Sequence, residues 1–262
     1  LCTTPHYLNA EDQVTLDAME IGVDLATLDP GSDIAVLRGQ PVQNAKYAGR
    51  RIFGSGINLT HLYQGSIPYL WYMQRELGFV HKCFRGVASP GVLPDDVNGA
   101  GHEKPWIGAV EGWAIGGHCQ ILLVMDYVLA AHDSYMTLPA RKEGIIPGAA
   151  NMRLPRFTGD RLARQLIQAE RRLDCDSIEG RLICDEIVPA SDMDAAIGRT
   201  VEMLTSAGAV GAIGNRRAFR GAVEPLDLFR RYCAVYAREQ AACHFSPALI
   251  DNLEQNWGAA GR

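Results

Sequence analysis

Closely spaced cysteines are missing from this chain. Its seven cysteines lie far apart, with no CxxC pair and no CxxC…HxxxH spacing. That excludes a disulfide framework and a structural zinc site, and reduced thiols in the cytoplasm are the expected state. A basic stripe is missing too. There are 25 Lys and Arg against 30 Asp and Glu, a formal net charge of −5. Nucleic acid, whose phosphates must be neutralised by clustered cations, is thereby excluded as a partner. No secretory signal pattern is present. The most apolar run, residues 114–131, falls short of the roughly 20 residues a membrane span needs, and it contains His118, Gln120 and Asp126. A buried core helix is the expectation there, and no membrane partner. "GSGINL" lacks the third glycine and the strand–helix setting of a dinucleotide fingerprint. The chain starts at Leu1 rather than methionine, which reads as a fragment or a trimmed numbering.

What is present is ordinary globular composition, 47% hydrophobic and 21% charged. The length suits one large domain or a domain with an appendage. "EDQVTLDAMEIGVDLATLD" has helical spacing, with Val14, Ala18, Ile21 and Leu25 on one apolar face and Glu11 and Asp12 loading the first turn with negative charge. "SDIAVLRG" reads as a buried strand, and "GRRIFGSGINL" as a short strand ending in a turn. "IPYLWYMQRELGFVHKCFRGV" predicts one amphipathic helix. "ASPGVLPDDVNGAGHEKP" is a loop by its Pro, Gly, Asp and Asn content. "WIGAVEGWAIGG" predicts strand then turn, and "HCQILLVMDYVLAA" a buried helix. From residue 191 the chain reads as helices with apolar and charged faces. The expected division is a core over 1–190 and a helical region over 191–262, packed either on its own core or on a neighbouring subunit.

Three stretches in this order, "GSGINL", "VEGWAIGGHCQILLVMDYVLAA" and "GIIPGAANMRL", resemble the crotonase (enoyl-CoA hydratase/isomerase) superfamily. The resemblance implies an α/β fold, a spiral of repeated ββα units with C-terminal helices that trimerise, hence a homotrimer or homohexamer. It also implies an acyl-CoA thioester substrate whose enolate is held by two backbone N–H groups. Matching the motifs places those donors at Ile57 and Gly117. Glycine lets backbone approach a ligand closely, and a helix start adds positive potential where an oxyanion develops.

Hydratases of this superfamily handle water with two glutamates. Here Gln120 stands at the first position and Ala140 at the second, with Glu143 three residues further on. An amide has no useful pKa and cannot act as a general base. Hydration is therefore disfavoured, while enolate stabilisation is retained. The stretches "YLNAED", "RELGFVHK", "EKPW", "EGIIPGAAN" and "NRR…EP…FR.Y" further resemble the branch of 3,5-dihydroxyphenylacetyl-CoA dioxygenases, which use neither metal nor organic cofactor. That resemblance implies O2 as co-substrate, an arylacetyl-CoA enolate that reduces it directly, and an arylglyoxylate and CoA as products.

In that setting Gln120 would lie near the α-carbon. Glu11 and Arg75 would clamp a ring hydroxyl or pair with each other; a helix N-terminal charge and a solvated face charge are the alternatives. Leu59, Ile145 and Ile146 would line the O2 space, or simply pack the core. His118 replaces a small residue of the family. It can point into the core or the subunit interface, enter the pocket as a base or ring-hydroxyl partner, or bind a metal, although no second ligand is spaced for it. Two other functions stay open: a non-oxidative crotonase using Glu143 or His118 as acid and base, and a catalytically silent CoA-binding subunit.

Overall fold

The computed structural model describes residues 4–93 and 101–259. The chain opens with α1 (Gln13–Leu28), β1 (Ala35–Arg38), α2 (Leu59–Tyr63), α3 (Tyr69–Leu77), α4 (Phe79–Arg85) and β2 (Val87–Ala88). The middle runs β3 (Gly101–His102), β4 (Trp106–Val110), β5 (Trp113–Ile115), α5 (Gly117–Leu122), β6 (Tyr127–Ala131), β7 (Tyr135–Thr137), α6 (Ala140–Glu143) and α7 (Ala150–Gln168). It closes with β8 (Leu173–Asp174), β9 (Glu186–Val188), α8 (Met193–Thr205), α9 (Ala209–Val223), α10 (Leu226–His244) and α11 (Pro247–Trp257).

Two strand–strand–helix units follow one another, β4–β5–α5 and β6–β7–α6. Their first strands join a parallel sheet of order β1-β4-β6-β9, and their second strands join a sheet of order β5-β7-β8. The larger sheet is buried on both faces. Trp106 and Val110 of β4, with Val128 and Ala130 of β6, turn into the main core. Ile107 and Ala109, with Leu129 and Ala131, turn to Met193 and Ala196 of α8.

That double burial explains a correction. The stretch expected as one buried helix, "HCQILLVMDYVLAA", is helical only as α5 and then becomes the central strand β6. A strand covered on both sides is a continuous apolar run, which periodicity cannot tell from a buried helix. "IPYLWYMQRELGFVHKCFRGV" is likewise two helices, broken at Gly78 (φ −92°, ψ −118°). The outward face of α1 is reversed from expectation. Val14, Ile21 and Leu25 are exposed, while Thr15, Leu16, Val23 and Thr27 are buried. "GRRIFGSGINL" forms isolated bridges rather than a strand. Of the expected loop, residues 94–100 lie outside the described residues, and β2 and β3 on either side pair antiparallel. Among the described residues no helix is long and apolar enough to cross a membrane.

Buried ion pairs tie the last helices to the rest of the chain. Glu224 receives Arg153 through two hydrogen bonds (3.0 and 3.1 Å) and Arg156 at 2.7 Å. From α9, Arg216, Arg217 and Arg220 all reach Glu103, and Arg216 also reaches Asp126.

Candidate active site

Asp12 caps α1 through a reciprocal pair with Thr15, whose N–H reaches Asp12 Oδ1 at 3.0 Å. This fixes the residue before it. The Glu11 N–H donates to Gly56 O at 2.6 Å, and the Asn58 N–H donates to Glu11 O at 2.7 Å. Ile57 lies between those two bonds. The loop is registered on β5 from its other side, where the Gly54 N–H donates to Trp113 O and the Ile115 N–H to Gly54 O. The two glycine-bearing segments therefore run side by side. Gly117 opens α5, so its N–H is among those a helix start leaves without an internal partner. Among the described residues neither the Ile57 nor the Gly117 N–H has an acceptor.

Both residues line a cleft of about 410 Å³ together with Glu11, Arg75, Gln120, Ile145 and Ile146. Arg75, buried on α3, is its hub. Its guanidinium holds Glu11 in a two-point pair (2.7 and 3.0 Å) and donates to Gly117 O at 2.7 Å, Glu76 Oε1 at 3.0 Å and Gln120 Oε1 at 3.2 Å. Burial, the largest influence, raises the Glu11 carboxyl; the Arg75 charge and hydrogen bonds together with His118 outweigh it and hold Glu11 below the ordinary glutamate range. Gly117 is required by space. A Cβ there would stand 2.4 Å from Glu11 Oε2 and 2.8 Å from Arg75 Nη2.

The structure keeps two of the expected residues out of this cleft. Leu59 starts α2 and packs, partly buried, against the main core. His118 lines a second cavity, with Phe53, Leu37 and Ile121. Its Nδ1 accepts the Gly56 N–H at 3.1 Å, so the ring props the loop that carries Ile57. Burial lowers its pKa, Glu11 opposes that and Arg75 adds to it, leaving His118 below the ordinary histidine range. Gly54 makes room for this ring, since a Cβ there would fall 2.1 Å from His118 Cδ2. Neither a pocket base nor a ring-hydroxyl partner in the cleft matches that placement. Among the described residues no group of three or more His, Cys, Asp or Glu is arranged to hold a metal ion.

The cleft also gathers residues that sequence reasoning missed: Trp71, Tyr72, Glu76 and Tyr236. Trp71 and Tyr72 precede Arg75 by four and three residues, so helical spacing was a usable signal. Tyr236 comes from α10 and left none. Trp71 Nε1, Tyr72 Oη and Glu76 Oε2 are buried without a hydrogen-bond partner among the described residues. Glu143 also lines the cleft. Burial, and after it the Glu170 charge, pushes its carboxyl up to about 7.

The enoyl-CoA hydratase/isomerase family model matches residues 98–219. The solved enoyl-CoA hydratase/isomerase from Xanthobacter autotrophicus Py2 superposes with a TM-score of 0.74, at 20% identity, over 98% of this chain and 88% of that one. Over residues 98–219 the chain is similar to that family, and as a whole it shares the fold of that structure. Its two-sheet stack of strand–strand–helix units is the crotonase fold. Among curated proteins, it is similar to the (3,5-dihydroxyphenyl)acetyl-CoA 1,2-dioxygenase of Amycolatopsis orientalis, 51% identical over 247 residues. It is 31% identical over 134 residues to a probable enoyl-CoA hydratase of Mycobacterium bovis. Those matches cover 94% and 49% of this chain. The chain spans about half the length of both relatives, 55% and 52%.

Proposed function

We propose that this protein is an arylacetyl-CoA dioxygenase acting on a 3,5-dihydroxyphenylacetyl-CoA-like thioester. The observation that carries the reading is one cleft that joins two unpaired backbone amides, Ile57 and Gly117, to the amide of Gln120. The amides bind the thioester oxygen and stabilise the enolate. Gln120 cannot deliver water as a carboxylate does. The likeness to the Amycolatopsis orientalis dioxygenase supports the same reading.

Loss of one α-proton leaves an electron pair delocalised over ring and thioester. Transfer of that pair to O2 forms a C–O bond and a peroxide at the α-carbon. The peroxide attacks the thioester carbonyl and expels CoA thiolate. Cleavage of the O–O bond with loss of the second α-proton gives the arylglyoxylate, so both oxygen atoms are retained. The electrons come from the substrate, and the reaction draws on neither a metal nor an organic cofactor. Glu11 and Arg75 orient the ring hydroxyls; Ile145 and Ile146 supply an apolar wall for O2.

A specific observation also favours a second reading. Glu143 in the cleft offers a carboxyl able to shuttle protons near neutral pH, as a non-oxidative enolate chemistry requires. Oxygen uptake with 3,5-dihydroxyphenylacetyl-CoA, in metal-free buffer with a strong chelator, decides between the two. Uptake matched by CoA release is expected; CoA release or isomerisation without uptake moves the assignment to the second reading.

The region from residue 191 is proposed as the assembly surface of a cytoplasmic homotrimer or homohexamer. Exposed Val210, Phe219, Val235 and Phe245 support that role, and light scattering on the purified protein tests it.

A further inference from the structure

We infer that Glu143 is the catalytic base that removes the α-proton, standing in the cleft where the enolate is formed. The inference uses the proposed substrate but precedes any oxygen chemistry, so it can fail or hold separately from the dioxygenase reading.

The geometry leads there by elimination. A thioester oxygen held by the Ile57 and Gly117 amides brings its α-carbon into the cleft those residues line. The proton acceptors on that wall are Glu11, Glu76, Glu143, Tyr72 and Tyr236. Glu11 is locked by both its oxygens to Arg75, which makes it a weak base. Glu76 gives one oxygen to Arg75, and its other lies 3.7 Å from Arg153 Nη1. Burial raises the phenols of Tyr72 and Tyr236 far above neutrality, so neither is available as phenolate. Gln120 has no basic site. Glu143 alone is a buried carboxyl with no hydrogen bond and no ion pair among the described residues.

Its surroundings keep it that way. On its own helix, Arg141 pairs with Glu170 at 2.7 Å, and the Lys142 Nζ lies over the Trp257 ring at 5.2 Å. Glu170, after α7, adds like charge. On α11, Asn252 and Leu249 approach Gly144, and Glu254 accepts from Tyr63. Tyr72 of α3 and Tyr236 of α10 share the wall. Among the described residues no cation pairs with the carboxylate, and burial with the Glu170 charge raises it to about 7, where a general base works best.

In the step itself the α-C–H bond breaks, the electron pair stays on the substrate as the enolate, and the proton moves to a Glu143 oxygen. The test is anaerobic exchange of the α-hydrogens of 3,5-dihydroxyphenylacetyl-CoA for deuterium, followed by NMR in D2O. Wild-type exchange is expected to rise with pH and level off above the apparent pKa near 7. Glu143→Gln is expected to lower it at least 100-fold, with substrate affinity within about threefold, and Glu143→Asp to restore part of it. Exchange in folded Glu143→Gln within fivefold of wild type overturns the assignment. So does wild-type exchange that is flat from pH 5.5 to 8.5, a measurement that needs no variant to fold. Exchange lost in Glu143→Gln, alongside wild-type protein that takes up no oxygen, keeps Glu143 as the base and removes the oxygenase reading alone.

Discussion

Two clusters of buried charge hold this molecule, and they are built differently. At the seam beneath α9 and α10, each carboxylate is answered by several arginines. Glu224 is fully buried among Arg85, Arg153 and Arg156, and Glu103 meets Arg216, Arg217 and Arg220. At the cleft, Arg75 answers Glu11 and one oxygen of Glu76, but Glu76 Oε2, Tyr72 Oη and Trp71 Nε1 have no hydrogen-bond partner, and Glu143 has neither hydrogen bond nor ion pair. Unmatched buried polar groups cost stability. Under the proposed function, a bound substrate supplies partners to the three on this wall. The carboxylates of the seam are fully paired; Glu143 of the cleft is not.

The largest effect tests the saturated side. Glu224→Ala leaves Arg153 buried without its hydrogen-bonded counter-charge, with only Glu76 at 3.7 Å, and is expected to cost about 3–5 kcal/mol. For a chain of this length that is a fall in Tm of roughly 10 °C, read by calorimetry. A loss under 1 kcal/mol would erase the distinction between the clusters.

The pH dependence sharpens it next, because Glu143 and Glu224 carry opposite signs. The Glu143 carboxyl is raised in the fold, so its contribution is complete below its unfolded pKa near 4.5 and is lost as pH climbs through about 7. That loss is about 3 kcal/mol at most. Glu224 runs the other way. Burial raises it, but Arg153 and Arg156 outweigh burial and leave it lowered. Its contribution is present above the unfolded value and disappears on acidification. Urea titrations at pH 5, 6.5 and 8 should show the stability of the wild type relative to Glu143→Gln falling as pH rises, which isolates Glu143 from the buried histidines whose lowered pKa values act in the opposite direction.

Gln120→Ala separates chemistry from folding. Turnover is expected to drop about 30-fold, roughly 2 kcal/mol in the barrier, while stability shifts by no more than about 1 kcal/mol. Full turnover in this variant would remove Gln120 from the site. The smallest effect belongs to neither cluster. Ile21→Ser on the outward face of α1 should change chemical stability by less than about 0.5 kcal/mol, since that side chain is 61% exposed.

Much of the site was legible because its parts are local. The "GSGINL" and "AIGG" turns, Gln120, Ile145 and Ile146 stand in short ordered stretches, and of their expected residues Ile57, Gly117, Gln120, Ile145 and Ile146 meet in the cleft while Leu59 does not. His118 sits between two of them and still lies outside it, because its ring found the Gly56 amide and the space over Gly54. Nothing in local spacing reports which side of a loop a side chain takes. The strand β6 was misread for a related reason. Its inward and outward residues are both apolar only because α8, more than sixty residues further on, covers the second face.

By itself, then, the sequence determined the order of the three glycine-bearing stretches, the turns they make, and the presence of Gln120 and Ala140 where hydratases carry carboxylates. Those are properties of short segments, set by steric freedom and side-chain chemistry. Only the tertiary structure decided that Arg75 binds Glu11 across 64 residues, that α10 sends Tyr236 into the cleft, and that Glu143 is left there without a counter-charge. A pKa, an ion pair and a cavity wall depend on what burial brings near, and burial is settled by the whole chain packing at once.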